Sequence, residues 1–124
     1  MARLLVVDDD PDVNEMAALV LAKHGHDVVS AASGKTALTI LENVPVIDLM
    51  LTDVVMPEMD GVTLSGCVEA LRPGLPIVFV SGYIDGMVLP ERANWGFVRK
   101  PWRANTLVAE VNRLLGVPMV PRAG

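Results

Sequence analysis

Cysteine is almost absent: Cys67 stands alone, which excludes an internal disulfide framework and a CxxC metal site and makes that thiol a small core hydrophobe. Basic residues are outnumbered, with ten Lys+Arg against fifteen Asp+Glu and a formal charge of −5. A nucleic-acid module carries a basic stripe, so no direct DNA or RNA binding is expected. No apolar run approaches the ~20 residues a membrane span needs, and no basic region precedes a signal-like segment, so the chain is read as cytoplasmic. Internal repeats, linkers and low-complexity stretches are lacking too, apart from a loose tail at 118–124. What remains is 124 residues, 52% apolar and 20% charged, which fits one packed domain over 1–117 and leaves no room for two cores.

Short apolar runs alternate with segments of helical period. The runs at 3–7, 27–31, 46–52, 76–80 and 96–99 are rich in Val, Ile and Leu and mostly lack in/out alternation, as strands covered on both faces of a parallel sheet do. Between them, Val13, Met16, Ala17, Val20 and Leu21 recur at helical spacing, with Asp10 as N-cap and Pro11 at the first helical position. Leu64, Cys67, Val68 and Leu71 repeat the pattern after Asp60-Gly61. Leu107, Val108, Val111, Leu114 and Leu115 repeat it near the end, and Ser33 can cap a shorter helix carrying Ala37, Ile40 and Leu41. A βαβαβαβαβα order wound by right-handed crossovers is a three-layer α/β/α sandwich.

Acidic residues crowd the ends of these strands. Asp8 and Asp9 follow the first, Asp53 follows the third, and an open α/β sheet binds its ligands outside the carboxyl ends of its strands. Carboxylates ~4 Å apart at an effective dielectric of ~20 repel by roughly 4 kcal/mol per pair, and a hard divalent cation among them relieves this. Oxygen-only ligands suit Mg²⁺ better than zinc. The plain alternative, that acids here cap helices and solubilise loop ends, suits Asp10 and Asp12 better than the strand-end trio. An EF-hand reading fails because Val13 and Leu19 occupy the loop's Gly and Glu positions. Ser81 follows the fourth strand. Lys100, one of only three lysines, follows the fifth, where an ammonium can hold a phosphoryl oxygen.

The stretches LLVVDDD, DLMLTDVVMPEMDG, PIVFVSGY and FVRKPW resemble, in order and spacing, the receiver domain of two-component response regulators, over residues 3–115. The last two resemble receivers attached to hybrid histidine kinases. The resemblance implies a flavodoxin-like, five-stranded parallel sheet of order 2-1-3-4-5. It implies Asp53 as phosphoacceptor and Mg²⁺ bound by Asp8, Asp9, Asp53 and the backbone carbonyl of Val55. It further implies Ser81 and Lys100 as phosphoryl-binding groups, Phe97 as the aromatic switch residue, and a cis peptide between Lys100 and Pro101. Pro57 and Gly61 match the loop that shapes the site. Val55 and Tyr83 take the positions that flank the route of attacking water and tune dephosphorylation. The implied function is a phosphorelay receiver taking its phosphoryl group from a histidine kinase or histidine phosphotransfer protein. It is a signalling domain rather than an enzyme, whose only chemistry is its own phosphorylation and dephosphorylation.

A competing reading takes VVDDDPD as the strand-end DxD motif of haloacid-dehalogenase-like phosphohydrolases, with Asp8 as nucleophile. It puts Asp12 where those enzymes carry Thr or Val and leaves Asp53 without a role. A pseudo-receiver would lack a pocket residue, and none is lacking. A free-standing shuttle and a receiver belonging to a larger protein both stay open. The spacing from Ser81 to Lys100 is 19 residues (100 − 81), with Gly86, Pro90 and Gly96 inside it, so the fourth helix should be shortened. A face without that helix is a poor dimer interface. The phosphorylated protein is expected to be a monomer or weak dimer, and sedimentation of its Mg²⁺–beryllofluoride form is the check.

Overall fold

The computed structural model describes residues 2–82 and 89–116. Five strands and four helices are formed among them: β1 (Arg3–Val7), α1 (Pro11–Lys23), β2 (Asp27–Ala31), α2 (Gly34–Asn43), β3 (Leu49–Asp53), α3 (Gly61–Leu71), β4 (Ile77–Ser81), β5 (Trp95–Arg99) and α4 (Ala104–Leu115). All strand pairs are parallel and the sheet order is β2-β1-β3-β4-β5, as expected. The shortened helix expected between β4 and β5 falls on 83–88, outside the described residues, and 89–94 contain no helix. The 118–124 tail also lies outside them. No helix among the described residues is long and apolar enough to cross a membrane.

Two apolar layers, one on each face of the sheet, explain why β3 and β4 are buried along their whole length. Leu5, Val7, Met50, Ile77 and Phe79 pack against Ala37 and Leu41 of α2 and Leu64 and Val68 of α3. Leu4, Val6, Leu49, Leu51, Val78, Val80 and Val98 pack against Ala17 and Leu21 of α1 and Leu107, Val108 and Val111 of α4. Neighbouring positions on one strand serve opposite layers, so a run with no polar alternation is what a doubly covered strand requires.

Helix starts follow the sequence signals. Asp10 accepts from the Asp12 and Val13 N–H groups, Ser33 from Thr36 and Asp60 from Thr63, each occupying donors that a helix leaves unpaired. Three expectations are corrected. The third strand begins at Leu49 rather than 46, and Val46 is exposed. Cys67 is exposed rather than a core residue, because α3 turns Leu64, Ser65 and Val68 inward. On α1 the buried stripe is Asn14, Ala17 and Leu21, while Met16 is 60% exposed. An apolar set read as five positions wide hid a narrower stripe that includes a polar residue.

That rotated face is checkable by thermal or denaturant unfolding. Leu21→Ala should cost about 2–5 kcal/mol by opening a cavity under α1. Met16→Ala should stay within about 0.5 kcal/mol, as for other surface substitutions.

Candidate functional site

Parallel pairing brings the functional strand ends to one edge of the sheet. Val7 is in register with Thr52, Asp53 with Val80, and Ser81 with Arg99. Asp8, Asp53, Ser81 and Lys100 therefore emerge side by side. Carboxylate oxygens of Asp8, Asp9 and Asp53 all lie within 4.8 Å of one another. Asp8 and Asp53 are buried and Asp9 is exposed, so the cluster is a shallow pocket open on one side.

Lys100 reaches into it. Its Nζ lies 3.3 Å from Asp8 Oδ2 and 3.4 Å from Asp53 Oδ1. Asp53 Oδ1 also accepts from the Val54 N–H at 3.0 Å, and Asp8 Oδ1 from the Asp10 N–H at 2.9 Å. The strand ends are locked together, Lys100 N–H donating to the Ser81 carbonyl and Val54 N–H to Val80.

Burial raises the Asp53 carboxyl above its ordinary value, Lys100 pulls it back, and the Asp8 charge pushes it up again, with a net upward result. Burial acts to lower the Lys100 ammonium, but Asp53 and Asp8 outweigh it and the net shift is upward. One ammonium thus faces more negative charge than it can neutralise. The donor set is all oxygen, which fits a hard cation such as Mg²⁺ and offers nothing that zinc prefers.

Ser81 is buried at the end of β4. Phe97 is half-buried on β5, in register with Phe79, and its N–H donates to Glu110 Oε2 at 3.1 Å. The Lys100-Pro101 peptide is cis. Val55 stands two residues beyond Asp53 with its side chain exposed, and Tyr83 lies outside the described residues. In the loop after β3, Glu58 adopts φ 67°, Met59 N–H donates to the Pro57 carbonyl, and Gly61 N–H donates to the Val54 carbonyl at 2.8 Å. A Cβ on Gly61 would collide with the Asp53 carbonyl oxygen and come within 3.0 Å of Val54 Cα, so only glycine lets α3 start this close to the end of β3.

One residue at the site was not singled out from the sequence. Asn14 is buried under the β1–α1 loop, and its side-chain amide donates to the carbonyls of Ala31 (3.0 Å) and Asp8 (3.2 Å), with Val6 at 3.5 Å. The available signal was an asparagine three residues before Ala17 and seven before Leu21, on the stripe that faces the sheet.

The response regulator receiver domain model matches residues 4–112. Among curated relatives, the sensor kinase CckA of Brucella abortus (strain 2308) is 37% identical over 92% of this chain and 12% of its own length. The transcriptional regulatory protein GlrR of Escherichia coli (strain K12) is 32% identical over 92% of this chain and 26% of its own. The chain thus spans only a minor part of these two. It spans 98% of the receiver protein CpdR of B. abortus, at 32% identity over 93% of this chain. Among solved structures, the receiver domain of the hybrid histidine kinase CckA superposes with a TM-score of 0.79 at 36% identity, covering 91% of this chain and 98% of that one. The resemblance to hybrid-kinase receivers is borne out. The phosphohydrolase reading falls with it, and both Asp8 oxygens are already held by Asp10 and Lys100.

Two outcomes follow from this geometry. Gly61→Ala should destabilise by about 1–3 kcal/mol, read by denaturant unfolding, because the clash is with backbone that cannot swing away. Asp53→Asn should raise stability in metal-free buffer near neutral pH. A carboxyl raised on folding favours the native state below its unfolded pKa and loses that contribution as pH rises through the folded value, so the ionised form is a cost the amide removes. The advantage of the variant should shrink as pH falls into the carboxylate range, which melting curves across pH will show.

Proposed function

The chain belongs to the response regulator receiver domain family, and on that premise we propose that Asp53 takes a phosphoryl group from a phosphohistidine, with Mg²⁺ held by Asp8, Asp9, Asp53 and the Val55 backbone carbonyl. The carrying observation is the convergence of three strand-end carboxylates within 4.8 Å, with Lys100 bridging two of them. Val54 and Lys100 both hold Asp53 Oδ1, which favours Oδ2 as the attacking oxygen. As the Oδ2–P bond forms, the P–N bond to the donor breaks and its electron pair stays on the leaving imidazole. When bound, Mg²⁺ supplies charge neutralisation and orientation of the phosphoryl oxygens.

Lys100 is already drawn to Asp53 by charge, and its ammonium can turn to an equatorial phosphoryl oxygen without travelling far. Ser81 offers a hydroxyl to the same group from the end of β4, and Phe97 responds as the aromatic switch. Val55 and Tyr83 restrict the approach of water, which makes loss of the phosphoryl group slow. The protein acts as a phosphoacceptor module in the cytoplasm and turns over no other substrate. Its partner is a histidine kinase or histidine phosphotransfer protein. It binds no nucleic acid itself and stays a monomer or weak dimer.

Incubation with a small acyl phosphate and Mg²⁺, followed by intact mass and site mapping, tests this. One phosphoryl group should be gained on Asp53, blocked by prior chelation and absent in Asp53→Asn. Modification that survives in the variant would overturn the assignment. A Val55→Asn, Tyr83→Ala double variant should lose the group faster than the parent, and equal decay would remove the water-shielding role.

A further inference from the structure

Among the described residues, Asn14 is the one buried side-chain amide under the site, and the group it holds is specific. The Asp8 carbonyl belongs to the peptide that joins Asp8 to Asp9. Successive residues on an extended chain send their side chains to opposite sides. Two adjacent carboxylates can face one point only if the peptide between them is held away from the regular strand twist.

All four polar atoms of Asp8 have partners: its N–H donates to the Ala31 carbonyl at 3.1 Å, its Oδ1 accepts from Asp10 N–H, its Oδ2 from Lys100, and its carbonyl from Asn14. The first three fix the residue's entry and its carboxylate. The Asn14 bond at 3.2 Å fixes the exit, which sets the direction in which Asp9 leaves. The Asn14 amide is anchored in turn on Ala31 at 3.0 Å and sits on the rigid α1 stripe beside Ala17 and Leu21. An isosteric leucine would fill the space but leave the peptide free to rotate.

We propose that Asn14 is a positioning residue for the cation, orienting the Asp8–Asp9 peptide so that both carboxylates reach one ion. This rests on the Mg²⁺ reading above. Titration of Mg²⁺ into the isotope-labelled full chain, followed by amide NMR shifts, tests it. Asn14→Leu should weaken Mg²⁺ binding about tenfold or more, the usual effect of removing a group that orients metal ligands. Asn14→Ser should do the same, since its shorter hydroxyl cannot reach both carbonyls. Leu21→Ala, which loosens the same helix without touching the peptide, should keep the parental affinity. Parental affinity in both Asn14 variants, or an equal loss in Leu21→Ala, would overturn the positioning role. Asp9→Asn separates the cation site from the role of Asn14. Unchanged affinity there sinks the cation site itself, whereas weakened affinity there with intact Asn14 variants sinks only the role of Asn14.

Discussion

Lys100 sits between two buried carboxylates that would otherwise repel each other, and the arrangement of the sheet edge depends on that ammonium. At 3.3 and 3.4 Å it is close enough to both Asp8 and Asp53 to offset most of their mutual repulsion, yet the Asp53 carboxyl stays raised because burial and Asp8 are not fully compensated. A site held slightly short of neutrality is poised to gain positive charge. A metal ion answers that deficit directly. A phosphoryl group alone would worsen it, so a phosphoryl group here calls for a cation beside it.

The parallel sheet is the device that collects these charges. In an antiparallel sheet, consecutive strands would deliver Asp8, Asp53 and Lys100 to opposite edges. Here every strand runs the same way, so residues spread from 8 to 100 in the chain emerge together. The carboxyl ends of parallel strands also stop at the N-termini of α1 and α3, whose unpaired N–H groups favour negative charge nearby. Asp10 and Asp60 use those termini as caps. Asp8 and Asp9 lie just before the first of these caps, between the end of β1 and the start of α1, and Asp53 is the last residue of β3.

Much of this was legible beforehand because strand ends are marked by a change of pattern. An apolar run that stops at Asp8, Asp53, Ser81 or Lys100 announces both the strand and the group it presents. Capping followed the same logic, since Asp10, Ser33 and Asp60 each precede a helical period. Facing was harder. Met16 and Cys67 satisfy an apolar spacing and still point outward, because spacing fixes a stripe only to within a turn of a residue or two. Asn14 escaped for the complementary reason: a polar residue on a buried stripe reads as surface until the carbonyls it serves are seen. The close approach at Gly61 was matched as part of a loop, but the collision that demands glycine belongs to Asp53 backbone eight residues away.

Lys100 directly follows an edge strand. β5 is bonded to β4 on one side, and on the other Glu110 of α4 takes the Phe97 N–H. Gly96 makes room for this, since a Cβ there would strike the Glu110 carboxylate and come within 3.1 Å of Leu114. The Arg113 guanidinium, more than the Phe97 N–H, holds the Glu110 carboxyl below its ordinary range against partial burial. A charged acceptor on an edge N–H is a stronger bond than a neutral one and also blocks pairing by a foreign strand. The strand that carries Phe97 and leads into Lys100 is therefore held on its open side by a side chain rather than by backbone. Phe97, three residues before Lys100, is thereby tied to α4 through Glu110, while Lys100 itself is tied to β4 by its N–H bond to the Ser81 carbonyl.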